Sequence, residues 1–220
     1  MSNEPHTLLP PVLAEGYGKF REFKYARQAQ RYMELAVRSQ KPHTMVIACC
    51  DSRAAPETIF DASAGELFVV RNVANIVPPY APDGQRHSTS AALEFAVHSL
   101  GVKYIVVMGH GKCGGIAAVV QDMSPLSKGD FIGKWMSLVG PAAEAVSGNA
   151  MMTPTERQTA LERITIRYSL ANLRTFPCVQ ILEGKGRLSL CGAWFDISTG
   201  ELWVMDSKTG DFSRPEVESA

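Results

Sequence analysis

Met45-Val46-Ile47-Ala48-Cys49-Cys50-Asp51-Ser52-Arg53 decides the fold, because an unbroken apolar run ends abruptly in residues that carry chemistry. A short run that is apolar at every position, with no polar alternation, is what a parallel strand buried on both faces requires. Two other stretches follow the same pattern. Leu67 to Val70 leads into Arg71-Asn72-Val73-Ala74-Asn75. Tyr104 to Met108, rich in β-branched residues, leads into Gly109-His110-Gly111-Lys112-Cys113-Gly114-Gly115. Between them Ser90 to Leu100 reads as helix. Strand, helix and strand in succession predict an α/β fold, a mostly parallel central sheet flanked by helices.

Outward from this centre, apolar residues at helical spacing between Leu13 and Arg38 (Phe20, Phe23, Tyr32, Leu35) predict an N-terminal helical arm. Thr153-Pro154-Thr155-Glu156 supplies an N-cap, a proline at the first helical position and a glutamate at the third, so a helix should run from there to about Arg174. Cys178 to Leu182 reads as a strand. Leu188 to Asp206 reads as a hairpin turning at Ser198-Thr199-Gly200. Asp122 to Gly129 reads as a loop, and Ala55 to Phe60 as a short helix. With no internal repeat or linker, residues 1–220 are read as a single domain that includes the arm, 1–40.

A chain of 220 residues buries roughly 70% of its unfolded surface, so a bound metal is not needed to hold the core together. The 22 basic and 22 acidic side chains cancel without clustering, which argues against a nucleic-acid partner. No apolar run approaches the ~18 residues of a membrane span. The first twenty residues show no basic segment followed by an apolar one, so no secretory signal is expected. Five cysteines, an odd number, suit a reducing compartment, and a cytoplasmic location is expected.

If the chain stays extended past Ala48, Cys49, Asp51 and Arg53 share one face and Cys50 takes the other. His110 and Cys113 are three apart after the third strand. Ligands bind at the carboxyl ends of strands in open α/β sheets, so the two clusters can meet in one crevice. Two thiolates and an imidazole form a donor set suited to Zn²⁺ that leaves a fourth position open. Plainer readings stand beside this. Cys50, Cys178 and Cys191 can be small core residues. His6, His43, His87 and His98 can be surface or loop histidines, or His98 can face a packed helix interior. Gly109-x-Gly111-x-x-Gly114 also matches a dinucleotide fingerprint, which needs an acidic residue about 20 positions on; Asp130 has that spacing but no strand before it. Otherwise the glycines let the backbone turn tightly around a metal ligand. A closed zinc site completed by Asp51 is a third reading. A thiol redox role for Cys49 and Cys50 is a fourth, disfavoured by the lack of a Cys-x-x-Cys pair.

Taken together, Cys-x-Asp-x-Arg at 49–53 and His-x-x-Cys at 110–113 resemble the β-class carbonic anhydrases, and the likeness extends over about Gly16 to Asp206. It implies one Zn²⁺ per chain on Cys49, His110 and Cys113, with Asp51 and Arg53 as a catalytic pair beside it. The implied activity is reversible hydration of CO2 to bicarbonate and a proton, through zinc-bound hydroxide. The implied substrate pocket draws on Gln40, Phe68, Val73, Phe95 and Gly114, with Phe95 standing where tyrosine is common. It also implies a homodimer or higher homo-oligomer, with the pocket at the interface and the helix from Leu13 clasping the partner. Val77-Pro78-Pro79-Tyr80 and Gln40 resemble the plant-like branch. The bicarbonate-regulated branch has tryptophan three residues before the first zinc cysteine, where this chain has Val46. An open site without bicarbonate cooperativity is therefore expected.

Overall fold

The computed structural model describes residues 9–121, 131–147 and 151–215. The expected loop at Asp122 to Gly129, together with Asp130 and His6, lies outside the described residues. The chain divides into two units, Met1–Gln40 and Lys41–Ala220. In the first, α1 (Pro11–Lys19) and α2 (Ala26–Arg38) are joined by a wider π-type turn, Phe20–Tyr25. Backbone dihedrals stay helical at both junctions, so the expected helix runs through. Rings of Tyr17, Phe20, Tyr25 and Tyr32 pack together along it. Leu13, Tyr17, Phe23, Met33 and Val37 are each more than half exposed.

In the second unit the three apolar runs pair as parallel strands: β1 (Thr44–Cys49), β2 (Leu67–Asn72) and β3 (Tyr104–His110). They are joined by β4 (Ser189–Asp196), parallel to β3, and then by antiparallel β5 (Glu201–Met205) and β6 (Phe212–Ser213). The order is β2-β1-β3-β4-β5-β6, and the hairpin of β4 and β5 turns where Ser198-Thr199-Gly200 predicts. Because β2 lies on one side of β1 and β3 on the other, the strand order reverses at β1. Side chains alternate on β1. Met45 and Ile47 join Ile105, Val107, Leu93, Phe176 and the helical Ile166, Leu170 and Leu173 in the main core. Val46 and Ala48 join Met108 and Ala193 on the other face, with Ile59 packed against them. Burial of both faces is the physical reason for the unbroken apolar run.

Helices α3 (Pro56–Ile59), α4 (Ser88–Glu94, prolonged by a π-type segment Phe95–Leu100), α5 (Gly114–Val120), α6 (Phe131–Met136), α7 (Gly140–Ser147), α8 (Pro154–Leu173) and α9 (Pro177–Gly184) complete the described unit. Helix α9 corrects the expected strand at Cys178 to Leu182. A five-residue apolar run does not reveal its period. Its punctuation does, with Pro177 in the first turn and Gly186 beyond the end at φ 65°. Val179 is buried and Ile181 exposed, as a helix divides them. Cys191 lies in β4, partly buried as expected, whereas Cys50 is exposed and not a core residue. His43, His87 and His98 are all exposed.

Helix α8 is the longest and packs on β3 and β4. Its start is a capping box: Thr153 Oγ1 accepts from the Glu156 N–H, and the Glu156 carboxylate accepts from the Thr153 N–H at 2.8 Å. Replacing an N-cap threonine by alanine costs about 1 kcal/mol. Thr153→Ala should therefore lower the unfolding free energy by about 1 kcal/mol, read as a lower urea midpoint at unchanged m-value. No change in midpoint would show that the cap is redundant.

Candidate metal centre

The strand order reverses at β1, where α/β sheets place their ligand sites, and the chemistry of the chain converges at the carboxyl ends of β1 and β3. Cys49 is the last residue of β1, His110 the last of β3, and Cys113 the N-cap of α5. Their donor atoms all lie within 4.8 Å of one another, and the two sulfurs are 4.0 Å apart. All three side chains are buried. His110 Nδ1 is 2.9 Å from the Gly111 carbonyl. A carbonyl only accepts, so Nδ1 carries the proton and the lone pair sits on Nε2. That Nε2 is buried with no hydrogen-bond partner, an arrangement shared by histidines that bind metals.

The two sulfurs are close enough to influence each other's ionisation. Contact with Cys113 lowers the Cys49 thiol from its ordinary value against the opposing effect of burial, with help from the backbone amides of Asp51 and Ala74. Cys113 is pushed up by Cys49 and by burial. Ala74 reaches Cys49 from a backbone in the left-handed region, φ 63°, where a side chain is unusual. A divalent cation binding here takes both sulfurs as thiolates and displaces whatever thiol proton remains.

Asp51 and Arg53 meet at the rim. Asp51 Oδ1 accepts from the Arg53 backbone N–H at 3.0 Å and from Nε at 2.9 Å, and Oδ2 accepts from Nη2 at 2.7 Å. These bonds hold the Asp51 carboxyl well below the usual carboxylate range. The pair comes together through an Asx turn, not the extended alternation expected, because β1 stops at Cys49. Arg53 Nη2 also donates to the Lys112 carbonyl at 3.2 Å, tying the loop after β1 to the loop after β3. Asp51 Oδ2 is 3.9 Å from His110 Nε2.

The glycines around His110 do something other than expected. Neither Gly109 nor Gly111 has a positive φ; the left-handed residue of the turn is Lys112, φ 58°. A Cβ on Gly109 would stand 2.9 Å from Ile166 Cδ1, and one on Gly111 3.1 Å from the Trp194 ring. Their role is close packing that seats β3 against α8 and β4. Sequence reasoning also missed two groups behind the ligands. Arg71 donates to the Cys49 carbonyl at 2.8 Å and to the Asp51 carbonyl at 2.6 Å. Glu162, buried on α8, accepts from the Cys113 N–H at 3.0 Å. No local sequence signal marks Glu162, since its partner lies 49 positions away.

The proposed pocket residues divide. Val73 and Gly114 lie next to the Cys-His-Cys cluster: Val73 adjoins Ala74 and packs against Gly115, and Gly114 follows Cys113. Phe68 pairs with Met45 on β1, four residues from Cys49 and so about 13 Å along the strand. Its ring instead meets Phe95, 5.9 Å between centroids, and Phe95 is 47% exposed. Gln40 is the last residue of the first unit.

The family model for carbonic anhydrase matches residues 44–202. The chain is 36% identical over 211 residues to a carbonic anhydrase of Pseudomonas aeruginosa, covering 94% of each, and 36% identical over 203 residues to β carbonic anhydrase 3 of Arabidopsis thaliana, covering 90% of this chain and 78% of the relative. Among solved structures, the β-carbonic anhydrase CcaA superposes with a TM-score of 0.87 at 30% identity, covering 94% of this chain and 92% of that one. One of two tetrameric β-carbonic anhydrases of Sordaria macrospora superposes with a TM-score of 0.76 at 27% identity, covering 92% and 97%. With the Cys-His-Cys cluster at the strand ends and a family match that runs from β1 through β4, the chain belongs to the carbonic anhydrases, in their β class.

Proposed function

We propose that this chain is a zinc-dependent carbonate dehydratase that interconverts CO2 and bicarbonate. The observation that carries the reading is the buried, unpartnered Nε2 of His110 beside two buried sulfurs 4.0 Å apart. Two sulfurs and one nitrogen suit zinc, so Cys49, His110 and Cys113 would hold one ion per chain. Bound zinc supplies an acidified water, hence a hydroxide nucleophile for the carbon of CO2 near neutral pH. Two thiolates donate more electron density than imidazoles, which favours neutral to alkaline working pH over the range of an all-histidine site.

The remaining work falls to the chain's own groups. Asp51, kept ionised by Arg53, accepts a hydrogen bond from the nucleophile and aims its lone pair at the substrate carbon. Arg53 occupies both oxygens of that carboxylate, which keeps Asp51 from becoming a fourth ligand and closing the site. CO2 carries no charge to grip, so a small apolar wall is enough to hold it. Val73 and Gly114 supply part of that wall from the same chain. Phe68 and Phe95, remote from their own Cys49, would serve the site of a second copy. Gln40 would hydrogen-bond the substrate. A homodimer or a multiple of it fits the exposed apolar side chains of the arm and the tetrameric state of the Sordaria macrospora relatives. In this reading 1–220 works as one domain, the arm serving the partner.

The plant-like branch is the second part of the proposal. Val46 offers no indole N–H for a separate bicarbonate pocket. Arg71 is engaged with the Cys49 and Asp51 carbonyls. A ligand shifts an open–closed equilibrium only by its differential affinity for the two states, so bicarbonate should act as product and simple inhibitor. We place the protein in the cytoplasm on its five free cysteines, with neither nucleic acid nor membrane as partner. Among the described residues no helix is long and apolar enough to cross a membrane.

Four outcomes test this reading. Cys49→Ser or Cys113→Ser should abolish both metal binding and CO2 hydration, while Cys178→Ser keeps both; stoichiometric zinc in Cys113→Ser overturns the ligand set. Circular dichroism after chelation should still show the fold, since the core does not depend on the ion. Arg53→Ala should lose roughly 10- to 100-fold in turnover, the usual cost of removing a group that orients a metal site, while retaining its zinc by metal analysis. Near-normal turnover would reduce the pair to a surface ion bridge. Finally, inhibition by bicarbonate should follow a hyperbola, and a steep sigmoid would place the chain in the regulated branch instead.

A further inference from the structure

Glu162 is a carboxylate only 3% exposed, and no step of the reaction described above uses it. Its partners are all donors. Oε1 accepts from the Cys113 N–H at 3.0 Å and from Gln158 Nε2 at 3.0 Å, and Oε2 accepts from Trp194 Nε1 at 3.1 Å. Among the described residues no lysine or arginine forms an ion pair with it. Burying an acid away from a counter-ion is costly, so plain capping of one amide does not account for its presence. What the place requires is a group with an acceptor on each arm. A neutral amide would turn an N–H toward a donor on one side or the other.

Gln158 lies one helical turn earlier on the same face of α8. Its amide donates to the Cys113 carbonyl at 3.3 Å as well as to Glu162. Both backbone polar groups of Cys113 are thus held from α8, leaving χ1 as the main freedom that aims the sulfur. The residue before it, Lys112, sits at φ 58°, a conformation a lysine keeps only where its surroundings hold it.

We propose that Glu162, assisted by Gln158, is the positioning residue of Cys113: it fixes the backbone of the second thiolate so that the site is shaped for a cation before one arrives. This rests on Cys113 being a metal ligand, as proposed above. Substitution of groups that orient metal ligands weakens metal binding roughly 10- to 100-fold.

The test follows metal directly. Zinc-loaded wild type, Glu162→Gln, Trp194→Phe and the double variant are challenged with a chelator, and cobalt-substituted samples are compared by their thiolate-to-cobalt absorption. Glu162→Gln should release metal roughly 10- to 100-fold more readily with an altered cobalt spectrum, because its amide nitrogen must face a donor. Adding Trp194→Phe removes that opposing donor, so the double variant should recover most of the affinity and the wild-type spectrum. Glu162→Gln that matches wild type overturns the proposal, and so does a double variant as weak as Glu162→Gln alone. If Glu162→Gln does not fold, Gln158→Leu carries the test. It should loosen the metal in the same direction by a smaller factor, and wild-type retention counts against the proposal. Wild type that binds no stoichiometric metal would instead sink the metal reading itself, an outcome distinct from these.

Discussion

Parallel pairing of β1 with β3 sets Ala48 opposite Met108, and from that register the rest of the site follows. It ends the two strands at nearly the same level, with Cys49 one step beyond the last pair on one side and His110 two steps beyond on the other. Register in a sheet buried on both faces is tightly specified, because a slip of one residue would exchange the Met45–Ile47 face for the Val46–Ala48 face. The hydrophobic alternation that holds the core together is therefore also what keeps a sulfur and an imidazole within reach of one ion. The two functions share one constraint.

Strand ends alone leave their loops free, and cross-links bind them. Arg53 joins the loop after β1 to the Lys112 carbonyl after β3. Arg71 reaches from β2 to the carbonyls of Cys49 and Asp51. Glu162 and Gln158 hold Cys113 from α8. Backbones in the left-handed region at Ala74, Asn75 and Lys112 cluster around the same point, as strained residues do where the surroundings determine them. The exposed Asp51–Arg53 pair contributes little to stability by itself; its value lies in the direction it gives a carboxylate.

Much of this was legible in the residues. The apolar runs of β1, β2 and β3 gave the fold class, and the clusters that follow them gave the ligands. The start of α8 was readable because its signal is local, a cap and its partner three positions apart. The strand expected at Cys178 to Leu182 failed because a run of five does not carry a period, and the proline before it was the better guide. Arg71 was visible as a residue but not as a brace. Glu162 was not visible at all, since nothing along the chain distinguishes a buried glutamate from a solvated one on a long amphipathic helix.

The glycines of Gly109-x-Gly111-x-x-Gly114 show why a spacing alone misleads. In a dinucleotide site such glycines admit a phosphate to the backbone. Here the first two admit Ile166 and the Trp194 ring, and the space is filled by the protein itself. The same spacing serves opposite ends because a missing Cβ says only that something comes close, not what. The identity of the neighbour comes from the other strands, and it is Cys49 at the end of β1 that turns a glycine-rich turn into a metal site. Function in this chain therefore resides in neither motif but in the register that joins them.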